Sequence, residues 1–376
     1  MASRTAMEEV WDYVNKDYVD GTFNGQDWQK SREQYLGKPV KSREELYDQI
    51  RAMLKSLDDP YTRFLDPDQF KSLKTTTSGE LSGIGIQIGI DKVKNSPFVL
   101  GAVDGTPAFR AGIKPGDLII AINDAPTKDL PLDKIASLLK GEVGTEVTLD
   151  LQRGAKPFQV SLKRETIQVN PVTFEAKQVN GKTVGYIRLA QFNANAAVDV
   201  QKAIQALEQK NVSGYLLDLR SNPGGLVTGG IEIARFWLSP GQIIVYTVNR
   251  QGAREEALAT KQPLSQKPLV LLVDQFTASA SEILAGALKD NKRAILIGKK
   301  TFGKGVIQAV HTLKDGSGLA VTVARYQTPN RIDIHKVGIE PDTVAALPAS
   351  FTSEQVATAT DPQFMAGVKA LNSQKR

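Results

Sequence analysis

Apolar positions divide the chain into three stretches with different periods. Up to about residue 74 they recur at helical spacing, with Met7, Val10, Trp11, Val14 and Tyr18 on one face. Ser42-Arg43-Glu44-Glu45 has the composition of a capping box, and Leu46, Ile50, Met53, Leu54 and Leu57 follow on one stripe. Asp58-Asp59-Pro60 predicts the end of that helix, Asp66-Pro67 the start of another, and the polar run 74–79 a linker. From Leu81 to about Arg164 the period shortens to two: Ile84, Ile86 and Ile88 alternate with small or polar residues. Strands are predicted over 97–103, 118–122, 146–152 and 158–163, with a short helix over 107–113 ended by Gly112 and another over 132–139.

From about Thr173 onward, strands and helices alternate. Strands are predicted at 184–189, 215–219, 269–273 and 294–297, and helices at 195–209, 226–237 and 279–290. Such alternation argues for an α/β domain with partly parallel strands. The runs 306–313 and 319–326 flank Asp315-Gly316-Ser317-Gly318 and predict a hairpin. The whole reads as a multidomain α+β chain: an N-terminal helical region over 1–78, a small β-rich domain over 79–166 and an α/β domain over 167–376.

A length of 376 residues supports two or three domains, each with its own core. The net charge of +6 is spread along the chain without basic runs interleaved with aromatics, so no nucleic-acid partner is expected. The absence of cysteine excludes disulfides, thiol nucleophiles and thiolate metal sites, and neither metal nor cofactor is expected. No apolar run approaches the length of a transmembrane helix. The short polar start over 1–5 fits a mature N-terminus, with the expectation that any targeting segment has been removed or never existed.

Ser279, at the start of a predicted helix, and Lys304, in the glycine-flanked Phe302-Gly303-Lys304-Gly305, can form a nucleophile and its general base. Each has a plainer explanation. Ser279-Ala280-Ser281-Glu282 is itself a capping box, and serine is a favoured N-cap. Ser281 is a rival nucleophile. The segment 298–304 matches a phosphate-binding loop up to its lysine, but Gly305 and a strand-like run follow where Ser or Thr and a helix are needed. For Lys304 to act as a base near neutrality, burial must bring its pKa from near 10.4 to about 7.5, a differential interaction of about 4 kcal/mol. Phe302, Val306 and Ile307 are the apolar neighbours expected to supply that burial.

Two resemblances bear on these alternatives. Gly83-Ile84-Gly85-Ile86, Thr106-Pro107-Ala108, the turn Ala111-Gly112-Ile113-Lys114-Pro115-Gly116-Asp117 and the run 119–123 resemble a PDZ domain. That family binds a peptide as an added strand and holds its terminal carboxylate on loop amides, here at Gly83, Ile84, Gly85 and Ile86. The C-terminal half resembles the carboxyl-terminal processing peptidases, through Asp218-Leu219-Arg220-Ser221-Asn222-Pro223-Gly224-Gly225 and the stretches 277–291, 301–308 and 315–329. Phe23-Asn24-Gly25-Gln26-Asp27-Trp28 and Leu57-Asp58-Asp59-Pro60-Tyr61-Thr62-Arg63-Phe64 resemble the cyanobacterial and chloroplast branch.

That resemblance implies a core like the crotonase and Clp-protease folds, and a serine endopeptidase whose PDZ domain recognises proteins or peptides with free C-termini. It implies Ser279 as nucleophile, Lys304 as base, Gln308 as the residue orienting the lysine, and the amides of Gly225 and Ala280 as the oxyanion hole. Asp218, Arg220 and Glu282 match supporting positions. The implied substrate is the photosystem II reaction-centre precursor, a membrane protein, in the thylakoid lumen or periplasm. A general quality-control protease and an inactive PDZ scaffold are the alternatives.

Overall fold

The computed structural model describes residues 2–91 and 96–373; Met1 of the polar start lies outside them, and Ala2 already opens a helix, Ala2–Asp17. Met1–Ser78 and Asn170–Arg376 together make one compact unit, and Gly79–Val169 makes a second.

The larger unit is organised around a six-stranded sheet in the order Val172–Val179, Lys182–Leu189, Tyr215–Asp218, Leu269–Val273, Ile295–Gly298 and Thr343–Val344. The first two strands form an antiparallel hairpin, and every later neighbour is parallel. Parallel neighbours need crossovers, and the helices Ala196–Gln209, Val227–Arg235 and Ala280–Asp290 lie in them. Leu269–Val273 is apolar at every position because it is buried on both faces. Alternate side chains serve opposite cores. Leu217, Leu271 and Val273 pack with those three helices, whereas Leu216, Val270 and Leu272 pack with Phe364, Val368 and Leu371 of the helix Pro362–Ser373.

A second sheet joins the N-terminal helices to this core. Its long strand, Gly318–Gln327, pairs with Val306–Thr312 through the predicted hairpin. It also pairs with Arg63–Leu65, a strand that helical periodicity alone does not reveal. Leu313, Leu319 and Val321 share one core with Met7, Val10, Val14, Ile50, Met53 and Leu54. The first 78 residues therefore fold onto the α/β region rather than apart from it. The linker expected over 74–79 is instead the last turn of the helix Pro67–Ser78, with only Gly79 beyond it. The Thr76 and Thr77 hydroxyls donate to the carbonyls of Ser72 and Leu73, at 2.8 and 2.9 Å, so these polar side chains are satisfied within the helix.

The smaller unit has a sheet in the order Ile86–Asp91, Ser96–Ala102, Leu118–Ile122, Glu146–Arg153 and Lys156–Lys163. The helix Leu132–Leu139 closes its core with Ile135 and Leu139. The strands Glu80–Gly83 and Glu165–Gln168 pair where the chain enters and leaves, so this unit extends to Val169.

Candidate active site

Ser279 ends the turn between the strand Leu269–Val273 and the helix Ala280–Asp290. Its backbone sits at φ 57° and ψ −117°, a sparsely populated conformation for a residue with a side chain. Ser279 and Glu282 stand in a capping-box arrangement, but the Ser279 hydroxyl completes no strict hydrogen bond to the first amides of the helix. Its carbonyl is held by the amides of Glu282 (2.8 Å) and Ile283 (3.0 Å), and by the buried Tyr326 hydroxyl (3.2 Å). A strained strand-to-helix turn that carries a serine at the helix start is the geometry of a nucleophile elbow. Ser281 is fully buried and its hydroxyl donates to the Asn222 carbonyl at 3.0 Å, so it serves the turn rather than the surface.

Glu282 ties this turn to the lysine loop. It is fully buried, and its Oε2 accepts from the amides of both Ser279 and Lys304, each at 2.9 Å. Oε1 accepts from the Thr301 hydroxyl at 2.6 Å and the Gly303 amide at 2.7 Å. Burial pushes the Glu282 carboxyl above its ordinary range, and these four donors oppose the push. The strand Val306–Thr312 follows Lys304 directly, so the segment 298–304 opens no helix and lacks the anion site of a phosphate-binding loop.

Lys304 is half-buried and forms no ion pair among the described residues. Its Nζ lies 4.9 Å from the centroid of the Tyr61 ring. Burial holds the ammonium below the ordinary lysine value, and Arg63 adds repulsion, while Asp59 and Glu282 pull the other way. Of the expected apolar neighbours, Val306 is buried and Ile307 partly so, but Phe302 is 55% exposed. Phe302 turns outward because its amide is tied to the Thr277 carbonyl (3.0 Å) while its neighbours Thr301 and Gly303 face Glu282. The aromatic wall comes instead from Tyr61, more than two hundred residues earlier.

The turn 221–225 packs onto Ser279. Asn222 holds it through Leu189 (2.8 Å) and the Gly224 amide (2.9 Å), and its carbonyl accepts from the Ala278 amide at 3.0 Å. Gly224 has φ 96°, and a Cβ there would lie 2.8 Å from Ser279 Cβ; Gly225 has φ 137°, and a Cβ there would meet the Phe192 carbonyl oxygen at 2.2 Å. Only glycine fits either position. Among the described residues the amides of Gly225 and Ala280 donate no hydrogen bond. Beneath the turn, Asp218 accepts from the Arg220 amide and side chain and from the Tyr186 hydroxyl at 2.7 Å. Arg220 reaches on to Asp361 at 2.9 Å and Gln363 at 3.0 Å, at the start of the last helix. Burial opposes its charge, but Asp218 and then Asp361 outweigh that and hold Arg220 above the ordinary arginine value. Asp218 and Arg220 thus anchor the glycine turn and do not face Ser279.

Gln308 is not bonded to Lys304; its amide donates to the Thr322 hydroxyl at 3.4 Å. A register shift between Ile307 and Gln308 in the pairing with Gly318–Gln327 sets that direction. Residues missed by pattern alone are Tyr61, Thr301, Tyr326, Asp361 and Gln363. Tyr61, Thr301 and Tyr326 lie inside the quoted stretches without a pattern that marks them, and Asp361 and Gln363 lie beyond every quoted motif and carry no sequence signal.

Comparison with known proteins fits this geometry. Peptidase family S41 matches residues 183–345, and the PDZ domain family matches 98–153. The carboxyl-terminal-processing protease of Synechocystis sp. is 48% identical over 366 residues, spanning 96% of this chain and 85% of that one. The chloroplastic carboxyl-terminal-processing peptidase 2 of Arabidopsis thaliana is 45% identical, over 93% of this chain and 70% of that one. A solved photosystem II D1 C-terminal processing protease aligns over 97% of this chain and all of its own length, at 40% identity and a TM-score of 0.61.

The chain belongs to the carboxyl-terminal-processing proteases of peptidase family S41. It is a PDZ-containing serine endopeptidase that acts near substrate C-termini, with N-terminal helices and a mixed α/β protease core.

In the peptidase's PDZ unit, the strand Ile86–Asp91 is at the sheet edge, beside the helix Leu132–Leu139. An open edge beside an apolar helix is what strand addition requires. The amides of Ile84 and Gly85, just before that strand, donate no hydrogen bond among the described residues. No described helix is long and apolar enough to cross a membrane.

Proposed function

We propose that Ser279 and Lys304 are the nucleophile and general base of this peptidase, acting through an acyl-enzyme. The observation that carries the reading is the single Glu282 oxygen held at 2.9 Å by the amides of both residues, which fixes the two loops against one another. In this reading Lys304 Nζ takes the Ser279 Oγ proton as Oγ attacks the scissile carbonyl. The free amides of Gly225 and Ala280 receive the oxyanion, helped by the positive end of the helix Ala280–Asp290. The Lys304 ammonium then protonates the leaving amine, and water, activated by the regenerated amine, hydrolyses the ester. Gln308 orients the lysine once substrate draws its weak bond from Thr322, and Asp218, Arg220 and Glu282 support the two loops.

The base must be neutral to act, so kcat/KM is expected to rise with pH through the lowered Lys304 pKa. A flat profile from pH 6 to 9 with chemistry limiting would count against it. Lys304→Arg is expected to be inactive although it keeps the charge, because arginine stays protonated. Lys304 also makes stability pH-dependent. The folded chain releases its proton below the unfolded value, so stability rises with pH between the lowered folded pKa and the ordinary one.

We further assign a helical role to 1–78, the PDZ role to the stretch 79–166, which the fold carries on to Val169, and the protease role to the remainder of 167–376, with a crotonase-like and Clp-protease-like core. Gly83, Ile84, Gly85 and Ile86 hold the substrate's terminal carboxylate while its tail adds to the strand edge. The relative named for photosystem II D1 processing points to that reaction-centre precursor as substrate, in the thylakoid lumen or periplasm. The measurement is cleavage of paired tail peptides: one with a C-terminal amide is expected to show a KM raised by tenfold or more, and equal KM values would remove the carboxylate reading.

A further inference from the structure

The proposed base faces an aromatic ring from the N-terminal part of the chain, and that segment is built to hold the ring still. Tyr61 donates its amide to Asp59 Oδ1 at 2.9 Å, and the Thr62 hydroxyl donates to Asp59 Oδ2 at 2.7 Å. The Thr62 hydroxyl in turn accepts from the Thr322 amide at 3.0 Å, and Arg63 pairs with Ala320 in the sheet. Tyr61 is therefore held by its own turn on one side and, through the two residues that follow it, to the strand Gly318–Gln327, next to the strand that follows Lys304. The far side of the ring meets the His335 ring edge-on, at 6.0 Å between centroids.

The groups around Lys304 leave this ring a distinct task. The charged residues acting on the ammonium are Arg63, Asp59 and Glu282, and the segment 334–338, whose Lys336 amide donates to the Gly303 carbonyl at 2.8 Å, brings His335 and Lys336 against the lysine loop. Both Asp59 oxygens are occupied by its own turn, and the Glu282 oxygens by Ser279, Thr301, Gly303 and Lys304. No carboxylate pairs with Nζ among the described residues, and the ring face stands at 4.9 Å. A partly exposed aromatic face attracts a cation only weakly, whereas burial is the largest influence on Lys304 and lowers its pKa past the pull of Asp59 and Glu282. Covering the amine with a ring therefore favours the neutral form on balance.

We propose that Tyr61 is a positioning residue that shields Lys304 from water and sets the lowest pH at which the peptidase works. The proposal rests on Lys304 being the base, and two readouts separate the ideas. The first is the acid limb of kcat/KM against pH for a C-terminal tail peptide. The second is the pH dependence of Lys304 labelling by an amine-reactive reagent, read by peptide mass spectrometry. Tyr61→Ala admits water, and Tyr61→Gln keeps the bulk but puts an amide against the ammonium. Each is expected to move both curves upward by about one pH unit, a tenfold loss at pH 7 that is recovered at higher pH. Tyr61→Phe keeps the ring and is expected to restore the wild-type limb. If the Ala variant does not fold, the Gln variant carries the test. Unchanged curves in the folded variants, or a Phe variant displaced as far as Gln, overturn the proposal. Activity retained in Lys304→Ala would instead remove the base assignment, while the labelling curve still reports what Tyr61 does.

Discussion

Ser279→Ala is expected to lower kcat/KM by about 10⁴–10⁶-fold, the range seen when a serine nucleophile is removed. The same variant is expected to keep its stability within about 0.5 kcal/mol. The two results together discriminate between chemistry and architecture. A serine that merely caps a helix contributes about 1 kcal/mol on truncation and nothing to turnover. Here Ser279 and Glu282 stand in a capping-box arrangement, but the bonds that hold the helix start are made by the Ser279 carbonyl and by Glu282 accepting from the Ser279 amide at 2.9 Å. Ser281→Ala should show the opposite pattern: activity within tenfold of wild type and a loss of about 1 kcal/mol, since its buried hydroxyl bonds Asn222. Equal cleavage by wild type and Ser279→Ala, measured with an unfolded substrate, would remove Ser279 as nucleophile.

Glu282→Ala is expected to have the largest effect on stability, a loss of about 3–5 kcal/mol, together with at least a hundredfold loss of activity. The reason is the number of donors that depend on one carboxyl group. The amides of Ser279, Gly303 and Lys304 and the Thr301 hydroxyl would all be left buried beside a cavity. Glu282→Gln keeps the volume and one acceptor oxygen, but turns an NH₂ toward donors that need an acceptor. It should fall between wild type and Glu282→Ala in both respects. Denaturant unfolding and single-turnover cleavage measured on the same samples provide the test. An Ala variant that unfolds like wild type would show that water, not the carboxylate, satisfies these donors.

Much of the peptidase's chemistry was legible because its motifs are local. The glycines of the 221–225 turn, the Ser279-Ala280-Ser281-Glu282 start and the Gly303-Lys304-Gly305 loop are runs whose backbone demands fix their composition. Short continuous apolar runs located Leu118–Ile122 and Leu269–Val273 to the residue, and helical periodicity located Leu132–Leu139. Arg63–Leu65 escaped because a three-residue strand has no period; it exists only through pairing with Gly318–Gln327. The Thr-rich end of Pro67–Ser78 was read as a linker because composition there suggests solvation, whereas the hydroxyls bond back to the preceding turn.

The division of the site follows the same logic. Sequence by itself determined the kinds of groups present: a serine at a helix start, a lysine without a neighbouring acid in its loop, and glycines where no side chain fits. Those follow from covalent geometry and from contacts within a few residues. Tertiary structure alone decided which serine is free, what walls the lysine and which way Gln308 turns. Ser281 is consumed by Asn222, Lys304 faces Tyr61 from the far end of the chain, and Gln308 meets Thr322 across a register shift. Each is a contact between segments far apart in sequence, and burial, which shifts the lysine's protonation, is a property of the packed whole rather than of any segment.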